Sequence, residues 1–388
     1  MAKPKLLYAS PFWPKNSGIS EYSAVLVYGL SKYFDITLCI DNYRLDDKRL
    51  SADFPVVHYQ KGDSYKDYPY ILYNIGNNPY YHNYMYDSIE DNPGFVILHD
   101  VYLYYLTVGH YMNERELLSK IYQLEGAAGI QVIKDSIFSH QNCDLLEHDD
   151  ISYKLPLNIE IIQMCKGVLV HSQYAENIVN KLGIIKDVFK INFPRIDNSD
   201  YKGNTDNPLS KRYKVPENCF AFGSVGFIAY SKQNHLVCQA VKLYNRSHDK
   251  KVNYIMVGEG NYIDEYLDEY IKKTGFLSNK ELWDCVDKLD FVFNLRYPYG
   301  GETSASLILC MGKGKLCAVT DIGWFSELPD DCVIKLPEGI SAEKLCNKLH
   351  DFTNTDYLGY KQNAKNYVEN NSTVEKISED VFNILTRV

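Results

Sequence analysis

The chain has 388 residues, 45% of them hydrophobic and 23% charged, with 41 basic and 50 acidic side chains giving a net charge of −9. That length exceeds one ordinary core and suits two domains of about 150–200 residues each. An acidic balance without a basic stripe argues against nucleic-acid binding and against strong attraction to anionic lipid. Strands are expected at Lys5–Ser10, Asp35–Ile40, Tyr70–Asn74, Phe95–His99 and Gly167–His171, where apolar runs alternate with helical patterns. Residues Tyr111 to Lys154 lack strand character and read as helical. Strands recur at Phe220–Gly226, Asn253–Val257, Phe291–Leu295 and Leu316–Thr320, with a short one at Val333–Ile334.

Between the two series lies a stretch rich in Asn, Asp, Gly, Ser and Pro, a composition that marks a linker. The expected division is a domain over 1–196, a linker over 197–212, a second domain over 213–370 and a C-terminal helix over 371–388 that packs back on the first domain. The fold class is α/β, with two doubly wound Rossmann-like domains facing each other across a cleft. The first residues, MAKPKLLYAS, are too short and polar for a signal peptide, and no run approaches the ~20 apolar residues of a membrane-spanning helix. Ten cysteines without a CxxC pair read as reduced thiols of a cytosolic protein. His235 and Cys238 share a helix face but lack further ligands, so they read as core rather than metal site. The 34 tyrosines offer flat faces with polar tips, suited to sugar rings or a membrane interface, though a compositional habit accounts for them equally. Peripheral contact at the inner face of a membrane, through a helix of the 111–154 region, is compatible with this cytoplasmic reading.

In an open parallel sheet, ligands gather where strands end and helices begin. Four such places carry chemistry. Ser17-Gly18 opens the first helix after the first strand, where a glycine lets backbone N–H groups approach a phosphate; the same glycine also serves turn geometry alone. Asn74-Ile-Gly-Asn77-Asn78 and His99-Asp100 follow two further strands; His99 suits a hydroxyl partner or a proton shift, Asp100 an orienting or base role, and both suit simple capping. The first loop of the second half, GSVGFIAYSK, runs from a strand into Gly226, then Ser231 and Lys232, like a phosphate cradle with its cation supplied. The fourth is RYPYGGETS, with Arg296, Glu302, Thr303 and Ser304. A carboxylate there repels phosphate and suits sugar hydroxyls, whereas a helix cap with a dipole-matched acid explains the same residues. No Asp-x-Asp pair occurs in the chain, so a divalent cation is not expected to hold a diphosphate here.

Together, SGISEYS, GNNPYYHNYMY with PGFVILHD, VLVHSQYAENIV, GSVGFIAYSK, and LRYPYGGETS through TDIGWFSELPDD resemble glycosyltransferase family 4, the retaining GT-B enzymes, in its bacterial polysaccharide branch. The resemblance spans nearly the whole chain. It implies a hexosyltransferase that takes a nucleotide-diphosphate sugar, needs no metal or other cofactor, and serves a glycan or lipid-linked saccharide acceptor in cell-surface polysaccharide synthesis. It places Gly18, Gly226, Ser231, Lys232, Arg296, Thr303 and Ser304 at the donor. His99, Asp100 and Glu302 fall at the reacting centre, and Asn77 and His82 on the acceptor side. Two positions depart from the family pattern. Leu309-Cys310 stands where a second glutamate commonly holds the ribose, and Phe227 where an arginine often follows the glycine, so Arg296 is the replacement charge at hand. A different class of function fits those departures, a catalytically silent GT-B protein that binds glycan or supports a partner glycosyltransferase. Survival of Gly18, His99, Lys232 and Glu302 together favours the enzyme.

Overall fold

The computed structural model describes residues 2–111, 113–196, 207–216 and 219–387. The chain divides into two compact units, Met1–Pro194 with Gly300–Thr303 and Val374–Val388, and Arg195–Tyr299 with Ser304–Thr373. Of the expected linker, residues 197–206 lie outside the described residues, and Pro208–Tyr213 forms a short helix with Pro at its first turn and Asn207 as its cap.

The first unit is built on seven parallel strands, β1 (Lys5–Ala9), β2 (Asp35–Ile40), β3 (Val56–His58), β4 (Tyr70–Ile75), β5 (Phe95–Leu98), β6 (Gly167–Val170) and β7 (Asp187–Lys190), in the order β3-β2-β1-β4-β5-β6-β7. Central strands read as unbroken apolar runs because helices cover both faces of such a sheet. Leu6, Leu7 and Tyr8 of β1 are wholly buried, with Tyr8 in register with Leu38 and Leu72. The helix Gly18–Leu30 starts at Ser17, whose hydroxyl accepts from the Ser20 N–H, and buries Tyr22, Leu26, Val27 and Leu30. The C-terminal helix Val374–Arg387 belongs to this unit, burying Ile377, Val381 and Leu385 and stacking Phe382 on Tyr33 at 4.8 Å. The helix Glu114–His140 is tied down at Lys120, whose ammonium pairs with the Glu160 carboxylate at 2.5 Å while Tyr111 donates to the same group at 2.7 Å.

The second unit holds six parallel strands, β8 (Ala221–Val225), β9 (Asn253–Val257), β10 (Ile271–Lys273), β11 (Phe291–Asn294), β12 (Leu316–Thr320) and β13 (Ile334–Leu336), in the order β10-β9-β8-β11-β12-β13. Its core gathers Phe222, Phe291 and Phe293 with Phe352 of the helix Ala342–Asn354. Strand order reverses between β1 and β4 in one sheet and between β8 and β11 in the other. Those reversals open a crevice at the carboxyl ends of the strands. No described helix is long and apolar enough to cross a membrane.

Every strand expected from the sequence is present. Three were not expected, β3, β7 and β10, and all three are edge strands of three or four residues. These short edges are only partly buried, so no continuous apolar run is needed to build them and none signals them.

Candidate active site

In the second unit, β8 delivers the chain into Gly226 at φ 104°, where the N–H donates to the Val257 carbonyl at 2.9 Å. That left-handed backbone strains any L side chain. A Cβ there would also lie 3.2 Å from the Lys232 ammonium, so this cation rests directly above the glycine. Lys232 is placed by a single 3-10 turn, Tyr230–Lys232, ahead of the helix Asn234–Ser247. Ser224, Gly226, Lys232, Asn234, Asn294 and Arg296 line one concavity at the ends of β8 and β11.

Its floor is polar and well ordered. Asn234 Nδ2 donates to Ser224 Oγ at 2.9 Å and Tyr254 Oη at 3.0 Å, and Asn294 Nδ2 donates to Ser306 Oγ at 3.1 Å. The opposite amide oxygens, Asn234 Oδ1 and Asn294 Oδ1, are buried without a hydrogen-bond partner. Buried acceptors of this kind are uncommon in folded chains and call for a donor such as water or a hydroxyl. Arg296 is 5% exposed, its guanidinium centred 5.5 Å from the Phe325 ring and donating through Nη1 to the Leu295 carbonyl at 2.7 Å. Its main-chain N–H donates to Thr320 Oγ1 at 2.9 Å. The Ser231 carbonyl accepts from the Tyr297 N–H at 2.7 Å, which ties the Lys232 turn to the loop after β11. Ser304 caps the helix Ala305–Gly312, its hydroxyl accepting from the Leu307 N–H at 3.3 Å. Its capping role is thus present in the structure, and Thr303 stands beside it, partly buried.

In the first unit, the ends of β4 and β5 bring Asn77, His82, His99 and Asp100 together. The Asn77 N–H donates to Asp100 Oδ2 at 2.8 Å, and Asn77 Oδ1 accepts from the Leu106 N–H at 3.2 Å. Gly76 makes this convergence feasible, since a Cβ there would meet His82 Nε2 at 3.0 Å, Asp100 Oδ2 at 3.2 Å and Ile19 Cδ1 at 2.4 Å. Burial pushes the Asp100 carboxyl up to about 6, the Asn77 N–H opposes that shift, and the charge of Glu302 adds to it. Glu302 lies in the four-residue segment Gly300–Thr303 that joins this unit, its Oε2 accepting from the Gly300 N–H at 3.0 Å. His82 is 1% exposed with Nδ1 3.0 Å from the Asn74 carbonyl, and burial pulls its imidazole down to about 3. His99 is 8% exposed, and burial, then the neighbouring His171 and His82, hold it well below the usual histidine range. At Gly18 nothing lies within 4 Å of where a Cβ would be, so the protein's own packing does not require a glycine there.

Two further groups complete this site, Asn74, named with its strand end in the sequence, and His171, which was not singled out. Asn74, wholly buried on β4, accepts from Tyr8 Oη at 3.3 Å and donates Nδ2 to the Ala9 carbonyl at 3.3 Å. Its Oδ1 therefore faces His99 Nε2 at 3.2 Å as an acceptor, which fixes the proton on Nε2 and leaves Nδ1 of His99 as the acceptor. His171, at the end of β6, packs its ring 5.3 Å from both His99 and Tyr22, and 5.0 Å from Phe193. For His171, a polar residue directly after an otherwise apolar strand run was the available signal. Among the described residues, no group of three or more His, Cys, Asp or Glu side chains is arranged to hold a metal ion.

No protein-family model matches the chain, and no curated protein matches it in sequence. Solved structures do match over its whole length. HepE of Anabaena in complex with UDP-glucose superposes with a TM-score of 0.67 at 13% identity, over 99% of this chain and 100% of that one. Sucrose-phosphate synthase of Thermosynechococcus elongatus gives 0.66 at 12% identity, over 98% of each chain. WaaG, a glycosyltransferase involved in lipopolysaccharide biosynthesis, gives 0.62 at 11% identity, over 99% and 100%. The two doubly wound parallel sheets of this chain thus share the fold of these structures, the GT-B architecture.

Proposed function

We propose that the protein is a glycosyltransferase using a nucleotide-diphosphate sugar, retaining in stereochemistry and independent of metal, with a hexose as the transferred group and a glycan or lipid-linked saccharide as acceptor. The observation that carries this reading is the Lys232 ammonium held above Gly226 at the reversal between β8 and β11. A positive charge over a side-chain-free strand end is suited to a diphosphate, and it stabilises the departing phosphate where charge develops. The fold shared with HepE, solved in complex with UDP and with UDP-glucose, makes UDP-glucose the first donor to test.

In this account, the bond from the anomeric carbon to the diphosphate oxygen breaks, and the acceptor oxygen bonds to that carbon on the same face. The acceptor proton passes to the leaving phosphate. Lys232 and Arg296 offset the diphosphate charge, and Gly226 leaves room for its oxygens. His99 accepts a hydrogen bond through Nδ1 from a sugar hydroxyl, while Asp100 and Glu302 accept from others or stabilise the oxocarbenium-like transition state. The open space at Gly18 keeps the main chain of the first helix accessible to the donor.

The test is UDP release from UDP-glucose in the presence of a saccharide acceptor mixture. Wild-type protein should turn over, Lys232→Ala should fall by roughly tenfold or more through loss of a charge-assisted contact, and Glu302→Ala should lose transfer with its fold intact. Wild-type turnover in both variants contradicts the proposal.

A further inference from the structure

The β1, β2 and β4 ends of the first sheet carry a second feature that the donor chemistry does not use. Lys15 places its ammonium 5.3 Å from the Tyr43 ring centroid and 5.4 Å from that of Tyr81, so two aromatic faces flank one cation. Its main chain is pinned at both ends. The Lys15 N–H donates to the Phe12 carbonyl at 2.9 Å, and the Lys15 carbonyl accepts from Ser20 Oγ at 2.5 Å. Tyr43 is fixed too, since its hydroxyl accepts from the Phe12 N–H at 2.9 Å. Two exposed aromatic residues are near in sequence, Trp13 two positions before Lys15 at 45% exposure and Tyr80 next to Tyr81 at 75%. The Trp13 carbonyl accepts from the Asp46 N–H at 3.0 Å, which holds that loop to the one after β2.

Among the described residues the Lys15 ammonium pairs with no carboxylate, and two aromatic rings flank it. Ring faces attract an ammonium without neutralising it, so its charge remains available to an anion. Exposed aromatic faces offer flat apolar surface, with polar tips that hydrogen-bond hydroxyls. A saccharide presents both counterparts, C–H faces and hydroxyl edges. In the order β2-β1-β4-β5, β1 stands two strand spacings from β5 and its His99, about 10 Å.

We propose that Trp13, Lys15, Tyr43, Tyr80 and Tyr81 form a binding site for an anionic saccharide, its rings lying on the aromatic faces and its carboxylate or phosphate on Lys15. Taking this saccharide as the acceptor rests on the glycosyltransferase reading; the binding site itself does not.

The experiment titrates wild-type protein with cellobiose, cellobiuronic acid, cellobiose 1-phosphate and inorganic phosphate, followed by tryptophan fluorescence and by saturation-transfer NMR of the sugars. The two anionic disaccharides should bind about tenfold more tightly than cellobiose, and inorganic phosphate more weakly than either. Lys15→Met should bring the anionic sugars down to the cellobiose level, Lys15→Arg should restore the preference, and Trp13→Ala should weaken all three sugars. Equal binding of neutral and anionic sugars, preference surviving in Lys15→Met, or no sugar binding at all each overturns the proposal. Phosphate competing as well as the anionic sugars reduces the site to a simple anion site and also overturns it. A parallel UDP titration of the same samples keeps the readings apart. UDP binding without saccharide preference refutes this site alone, whereas saccharide preference without UDP binding refutes the transferase reading and leaves the site.

Discussion

Asp100 Oδ2 takes a hydrogen bond from the Asn77 N–H at 2.8 Å, while burial and, to a smaller extent, the charge of Glu302 raise its proton affinity. The two carboxylates come from distant parts of the sequence, and their coupling can be measured. A carboxyl whose folded value is raised to about 6 is ionised only above that pH. The 13C titration of the Asp100 side chain should therefore have its midpoint near 6. Glu302→Gln removes a like charge and should move that midpoint to lower pH. An unchanged or higher midpoint would show that the two groups do not interact.

The histidines give a prediction for stability. His82, His99 and His171 all have folded values below the usual histidine range, chiefly through burial. The unfolded chain binds these three protons below about pH 6.5 while the folded chain does not, so their contribution is present above that pH and is lost as pH falls. Asp100 opposes them, because the folded chain takes up its proton near 6 and the unfolded chain later. Three protons against one leaves a fall in stability between about pH 6.5 and 4, each uncompensated proton worth up to ~1.4 kcal/mol per pH unit. Chemical denaturation at a series of pH values checks this, and His171→Phe should flatten the slope by about one proton. A slope that steepens in that variant would contradict the assignment.

The Asn74 bridge makes a separate prediction about protonation. Its Oδ1 accepts from both Tyr8 and His99, so the neutral His99 ring should carry its proton on Nε2. Long-range 15N correlation spectra of the imidazoles distinguish the two tautomers directly. In Asn74→Leu the preference should weaken. The Nδ1–H form as the major species in wild-type protein would remove His99's role as a hydroxyl acceptor through that atom.

Gly226 carries both a left-handed backbone and the Lys232 ammonium 3.2 Å from its missing side chain. Gly226→Ala should cost ~1–3 kcal/mol of stability through backbone strain and displace the ammonium, weakening nucleotide-diphosphate binding by roughly tenfold or more. Gly18→Ala, at a position with open space, should leave stability nearly unchanged. Comparing melting temperature with UDP affinity in the two variants separates strain from lost ligand contact. Stability equal to wild type in Gly226→Ala would contradict the strain argument.

Central strands were legible in the sequence because burial on both faces demands continuous apolar runs, as in Leu6–Leu7–Tyr8 and Phe291–Val292–Phe293. Edge strands β3, β7 and β10 were not, since their short, partly buried runs leave room for Lys272, Asp187 and His58. Strand ends pointed to Gly226 with Lys232 and to His99 with Asp100, because chemistry there depends on position along an element. What sequence could not reveal was the sharing of partners across strands. The Asn74–His99 bridge joins β4 to the end of β5, and Lys15 meets rings from the ends of β2 and β4. Neither follows from spacing within one segment. Likewise, Glu302 follows a strand of the second unit in the chain yet belongs to the first, a consequence of contacts such as Gly301 with Val101 rather than of local pattern.

The most direct test of the central claim is calorimetric titration of UDP into the protein with EDTA present, repeated on Lys232→Ala. A nucleotide diphosphate held by Lys232 without metal should give saturable binding in EDTA and a roughly tenfold loss of affinity in the variant. Binding that disappears in EDTA and returns with magnesium would contradict metal independence. Equal affinity in Lys232→Ala would contradict the phosphate site itself.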